Sequence, residues 1–155
     1  MARIEAHIEI AAAPADVFRF CHDVTQRSEW DERVAGIEML SPFPVRRGTL
    51  ISVDASRGGR YAFSWDGEYA EFKYPSSSTL RVLNAAPSSP FKAGRESWSF
   101  SSTGAASGRT RFTVVWEYEP RHIIARIVDA LIGRASNRRA VRRSLTNLKA
   151  LLESR

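Results

Sequence analysis

Hydrophobic and polar positions alternate from the first residues of the chain. Ile4, Ala6, Ile8 and Ile10 interleave with Arg3, Glu5, His7 and Glu9, the period-two signature of a half-buried strand. Ala13-Pro14-Ala15-Asp16 then opens a short helix, because proline suits the first turn and an acid there complements the helix dipole. Val17, Phe18 and Cys21 fall on one side of it. Thr25 through Trp30 reads as a second short helix capped by Thr25. From residue 34 the texture changes to strands and turns. Ala35, Ile37 and Met39 alternate with Gly36 and Glu38 until Pro42 and Pro44 break the run. Ile51, Val53 and Ala55 form the next strand, and Gly58-Gly59 turns it back into Tyr61, Phe63 and Trp65. Asp66-Gly67 is expected to bulge, with Tyr69 to Lys73 continuing that strand as far as Pro75. Leu80 and Val82 mark another strand, closed by Pro87 and Pro90. Trp98 and Phe100 mark one long strand, and Phe112, Val114, Trp116 and Tyr118 the next, with Gly104 and Gly108 in the loop between. Pro120 stops the last strand.

The remaining residues contain no proline and carry Ile, Leu and Val at spacings of three and four, which predicts a long helix. Val141, Leu145, Leu148 and Leu152 fall within an arc of roughly 60°, with Arg138, Arg139, Arg142, Arg143 and Lys149 on the other side. In the first half, Ile123, Ile124, Ile127, Val128, Leu131 and Ile132 spread over roughly 180°, wider than one packing face requires. The two arcs are displaced by close to a quarter turn, so a kink or break is predicted near Gly133. The element order is one strand, two short helices, six strands and one long helix. That order suits an α+β fold in which a curved antiparallel sheet wraps a helix, in one domain over residues 1–155.

Composition narrows the class without naming an activity. The chain has 155 residues, of which 43% are hydrophobic and 26% charged, as in ordinary globular proteins. No apolar run is long enough to span a bilayer. The N-terminus carries Glu5 and lacks a long apolar core, so it does not read as a secretory signal, and a soluble, cytoplasmic protein is expected. One cysteine, Cys21, excludes an intrachain disulfide and a multi-cysteine zinc site. Charge is uneven: residues 121–155 hold nine basic and two acidic residues, a net +7, whereas the first 120 residues sum to −1. A solvated helix face and an anionic-membrane contact both fit this Arg-rich helix. Nucleic acid is not expected, because the segment has no aromatic residues for base stacking.

Several segments together carry a family resemblance over essentially the whole chain. They are the first strand, the "AAPADVF" helix opening with Pro14, Val17 and Phe18, the "SEWDERV" segment with Trp30, Gly48-Thr49, and the closing "RRAVRRSLTNLKALLE" with Leu145 through Leu152. In these the chain resembles the helix-grip superfamily, also called START-like or SRPBCC, which includes the polyketide cyclase/dehydrase and lipid-transport families. The resemblance implies a seven-stranded antiparallel curved sheet gripping the C-terminal helix, two short helices between strands 1 and 2, and a cavity that usually holds an apolar or aromatic small molecule. None of the segments is a catalytic signature, and fold alone does not fix function.

Aromatic residues are the most informative candidates. Strand alternation places Tyr61, Phe63 and Trp65 on one face, as it does Trp98 with Phe100, and Phe112 with Trp116 and Tyr118. Such rings combine apolar area with polar edges, as a ligand lining requires, although an ordinary aromatic core has the same pattern. The expected ligand-binding residues are Phe63, Trp65, Tyr69, Trp98 and Phe100 from the earlier strands. Val114, Trp116 and Tyr118 join them from the last strand, with Ile127 and Leu131 from the helix. Glu96 shares parity with Trp98 and would have a raised pKa if buried, but a residue at a strand's start more often lies at the rim. Asp31 and Glu32 read as a solvated turn. His7, His22 and His122 are scattered, with no spacing that suggests a metal site or a nucleophile–base pair, and Cys21 reads as a small core residue. No metal or cofactor is expected, and no residue is assigned a catalytic role. The leading function is binding or transport of a hydrophobic lipid-, isoprenoid- or polyketide-like molecule. The alternative is a polyketide cyclase or dehydratase using the same cavity. Either a monomer or a homodimer is compatible with the pattern.

Overall fold

The computed structural model describes residues 1–104 and 108–155. Seven strands form one antiparallel sheet: β1 (Ala2–Ile10), β2 (Val34–Met39), β3 (Leu50–Arg57), β4 (Arg60–Lys73), β5 (Ser77–Ala85), β6 (Phe91–Ser102) and β7 (Thr110–Pro120). Their order is β1-β7-β6-β5-β4-β3-β2, so each strand after β2 pairs with its sequence neighbour and β1 closes on β7. Helices α1 (Pro14–Cys21) and α2 (Arg27–Trp30) link β1 to β2. A 31-residue helical rod ends the chain: α3 (Ile123–Val128), a π-helical turn (Asp129–Gly133) and α4 (Arg134–Glu153). This is the helix-grip fold. The loop expected between Gly104 and Gly108 contains residues 105–107, which lie outside the described residues.

Burial explains the grip. Residues facing one another across the antiparallel pairs share a face. Ile4, Phe112 and Phe100 therefore lie on the same side as Trp98, Leu80, Tyr69 and Val53, and all are buried. Val141, Leu145, Leu148 and Leu152 of α4 are buried in the same cluster, matching the narrow apolar arc of the sequence. Pro14 occupies the first turn of α1, which buries Val17, Phe18, Phe20 and Cys21 beneath the sheet's concave face.

Several expectations are corrected by local hydrogen bonding. Thr25 does not cap α2, which starts at Arg27; its amide and hydroxyl instead donate to Asp23 Oδ1, closing an Asx-type turn before the helix. A bulge between Val34 and Gly36 leaves Ala35 exposed, so that Val34, Ile37 and Met39 are the inward residues of β2. A second irregularity, opposite Ala55 and Ser56, turns Tyr61 outward while Phe63 stays inside. The irregularity expected at Asp66-Gly67 is present, but the extra residue is Leu83 of β5 opposite them, not a residue of β4. A Cβ on Gly67 would come within 2.9 Å of the Trp65 indole and 3.2 Å of the Arg81 carbonyl, which is why only glycine fits there. The irregularity expected near Gly133 is a π-helical turn in an unbroken rod.

Candidate functional site

Rings on the concave face fall into two groups. The inner group lies beneath α1 and α4. Phe100 and Phe112 stack with centroids 4.6 Å apart, while Trp98 meets Phe112 edge-on at 5.4 Å. Phe18 and His22 press on the same rings from the helix side. Such pairs add about 0.5–1.5 kcal/mol each beyond area burial, so this end of the grip is a packed core. The outer group lies where β7 runs into α3. There Trp116 stacks on Tyr118 at 5.6 Å, and Phe91 meets Phe63, Trp65 and Trp116 edge-on at 5.4, 6.2 and 5.2 Å. Gly94 makes room for this group, because a Cβ there would stand 2.8 Å from the Trp116 ring.

The ten residues expected to line a ligand site divide accordingly. Tyr69, Trp98, Phe100 and Val114 are buried in the inner group, whereas Phe63, Trp116 and Tyr118, which are buried as well, and the half-buried Trp65 form the outer wall of the same core. Ile127 and Leu131 lie on the rod with their side chains exposed and belong to neither group. Phe91 belongs to the wall but carried no sequence signal, since it follows directly on the Pro87 to Pro90 loop. Two surface clefts stand out, of about 410 Å³ beside α1 and about 330 Å³ between β1 and α4. Neither is lined by any of the ten.

A buried ionic network lies beside the inner group, where the sequence pattern predicts none. Glu96 is not at a strand's start, because β6 begins at Phe91, and its side chain is buried on the concave face. Asp31 is not in a solvated turn: it is fully buried, 2.8 Å from Arg27 Nε and 3.1 Å from Arg33 Nη2. Burial alone would favour the neutral acid, but Arg33 and Arg27 outweigh it and hold the Asp31 carboxyl well below the usual carboxylate range. Burial likewise opposes the Arg33 charge, and Asp31 with Glu96 reverses that and strengthens it. Arg33 Nη1 lies 2.7 Å from Glu96 Oε1, an ion pair off the hydrogen-bond axis, since that oxygen has no aligned donor. The Arg27 guanidinium also covers the Trp98 ring at 4.5 Å. Trp30 and Trp98 keep buried indole N–H groups without an acceptor among the described residues. Glu32 lies outside the network and pairs with Arg143. The Arg27–Asp31 spacing of one helical turn was the available signal; Glu96, 65 residues beyond Asp31, was reachable only through the fold.

His22 forms a second unexpected pair. Its Nδ1 lies 2.7 Å from the Phe18 carbonyl, which can only accept, so Nδ1 carries the proton. Nε2, also at 2.7 Å, therefore accepts from the Ser78 hydroxyl. Burial pushes His22 down to about 4, so the ring is neutral at physiological pH. Cys21 beside it is a buried core thiol whose pKa burial raises. His7 stays on β1 facing away from the core, while His122 caps α3 by accepting from the Ala125 amide.

At the outer end, one side-chain cluster ties the rod to the sheet. The Tyr118 hydroxyl donates to Asp129 of the π turn, and Asp129 pairs with Arg134 at 3.1 Å. Burial and the Asp129 carboxylate push the Tyr118 phenol up to about 12. Arg121 braces the adjoining loop through the carbonyls of Ala85, Ala86, Ser89 and Phe91. Among the described residues no cluster of three metal-ligating side chains occurs, and no helix is long and apolar enough to cross a membrane.

Residues 1–153 match the profile of a family described as polyketide cyclase / dehydrase and lipid transport. No curated protein matches the sequence significantly. Among solved structures, one similar protein is from Thermus thermophilus, with 18% identity, coverage of 99% of this chain and 98% of that one, and a TM-score of 0.79. An aromatase/cyclase from a Streptomyces species has 15% identity, coverage of 98% and 93%, and a TM-score of 0.78. A major latex-like protein from Panax ginseng has 14% identity, coverage of 97% of each chain and a TM-score of 0.73.

Proposed function

Because the chain belongs to the polyketide cyclase/dehydrase and lipid-transport family, we propose that it binds an apolar or aromatic small molecule at the outer end of the grip. The carrying observation is the wall of Phe63, Trp65, Phe91, Trp116 and Tyr118 beneath α3, a helix that buries none of its own side chains. A guest inserted there would gain ring contact from the wall, and Tyr118 with Asp129 would meet its polar end. Native mass spectrometry of freshly isolated protein tests for a co-purified molecule. Titration with the naphthalene probe ANS then tests the location. Losing one wall ring forfeits about 1.5–3 kcal/mol of apolar contact, so Trp116→Ala should weaken the probe by about tenfold or more. Unchanged affinity in both Trp116→Ala and Phe63→Ala would refute the site.

A second reading, a polyketide cyclase or dehydratase, is favoured by one observation. Tyr118 and Asp129 form a buried phenol–carboxylate pair beside the wall, a geometry that can pass a proton to or from a bound chain. Under this reading Tyr118→Phe keeps probe binding but slows turnover of a linear poly-β-ketone by about a hundredfold. Equal turnover in that variant and the parent would remove the assignment.

A further inference from the structure

The rod's first ten residues are amphipathic in the inverted sense. Ile123, Ile124, Ile127, Val128, Leu131 and Ile132 are 47% to 75% exposed, while the one buried residue of α3 and the π turn is the charged Asp129. Apolar side chains ordinarily face the core, and a contiguous exposed apolar patch marks a surface that something else covers. We propose that this face docks on an anionic lipid bilayer, with the apolar side chains at the acyl boundary and arginines at the headgroups.

Charge selects the bilayer over a second copy of the chain. Residues 121–155 carry a net +7. Asp129 is engaged by Tyr118 and Arg134, and Glu153 by Lys149 at the far end of α4. Among the described residues, Arg126, Arg138, Arg139 and Arg142 have no ion-pair partner. Arg126 interrupts the apolar segment, and Arg139 and Arg142 are exposed on α4, Arg139 nearly opposite its buried residues and Arg142 on the flank beside β1. A two-fold interface through this face would bring two segments of net +7 together, and like charges repel. A bilayer rich in anionic lipid answers both features, as it does for helices lying in a membrane interface. Bound there, the end of the grip that carries the outer rings would lie near the lipid, a consequence that rests on the ligand site proposed above.

Vesicle co-sedimentation tests the docking, using phosphatidylcholine alone and phosphatidylcholine mixed with phosphatidylglycerol, each at low and high salt. The parent protein is expected to pellet with the anionic vesicles only, and less at high salt. Each arginine near an anionic surface is worth about fivefold in partitioning, so the double variant Arg139→Glu and Arg142→Glu should lose more than about tenfold. The triple variant Ile124→Ser, Val128→Ser and Ile132→Ser alters only exposed positions, and circular dichroism checks that it is folded. It should also lose about tenfold or more. Failure of the parent to pellet, or equal pelleting of the triple variant, overturns the proposal. So does a parent dimer in light scattering that the triple variant dissociates, which assigns the face to a second copy. ANS titration without vesicles reads the ligand site separately, so either idea can fail alone.

Discussion

Asp31 is a carboxylate fully removed from water between two guanidinium groups, with Glu96 closing the network from β6. Removing one member of such a buried set leaves an uncompensated charge, at a typical cost of about 3–5 kcal/mol. Asp31→Asn should lower unfolding stability in urea by that amount, and a loss below about 1 kcal/mol would mean that water reaches the site. His22 gives a pH signature. Its value falls from 6.5 to about 4 on folding, so below about pH 6.5 the unfolded chain takes a proton that the folded one refuses. Stability should therefore decline by about 3 kcal/mol between pH 6.5 and 4 and gain no further loss from this group below that. Asp31, held below the carboxylate range, keeps its contribution throughout that window and loses it only at lower pH. In His22→Phe the unpaired Ser78 hydroxyl lowers the whole curve, but the slope across this window should flatten. An unaltered slope would assign the decline to other groups. The parity of Glu96 and the position of His22 were legible in the sequence. Their partners were not, because Glu96 pairs with Arg33 across 63 residues and His22 with Ser78 across 56, and such pairing depends on the tertiary fold.

The closing rod shows how one element divides its duties. Leu148 is fully buried against the sheet, whereas Leu131, on the same rod, is 75% exposed. Leu148→Ala should cost about 2–5 kcal/mol through lost contacts and a residual cavity. Leu131→Ala should stay within about 0.5 kcal/mol, as exposed substitutions do. Thermal denaturation of the two variants compares them directly, and equal costs would mean that α3 packs inward in solution. The sequence offsets the two apolar arcs by close to a quarter turn. The π turn holds one further residue, which rotates α4 by roughly another quarter turn relative to α3. Together these aim the two apolar faces in nearly opposite directions. The offset was legible; the added rotation was not, because Asp129 reaching Tyr118 on another strand accompanies the π turn.

For the whole molecule, ligand binding and stability are linked. A guest that binds only the folded state raises stability by about 2.7 kcal/mol at a hundredfold excess over its Kd. A molecule identified by native mass spectrometry should therefore raise the Tm in proportion to the logarithm of its concentration. The shift should shrink in Trp116→Ala, because that ring belongs to the proposed wall, and an undiminished shift would place the guest elsewhere. The distribution of charge, near zero in the first 120 residues and +7 in the last 35, makes the closing rod distinct from the rest of the molecule.

Residue order was enough to establish the succession of elements, the seven strands, the narrow buried arc of α4 and the concave placement of most large rings. Those are periodic, local properties, and hydrophobic burial turns period into face. Folding in three dimensions settled the rest: that Asp31 and Glu96 meet two arginines, that His22 meets Ser78, and that α3 turns its apolar face outward. Each of these depends on bulges, register and helix phase, where a shift of one residue reverses a side chain's direction and no local pattern records the result.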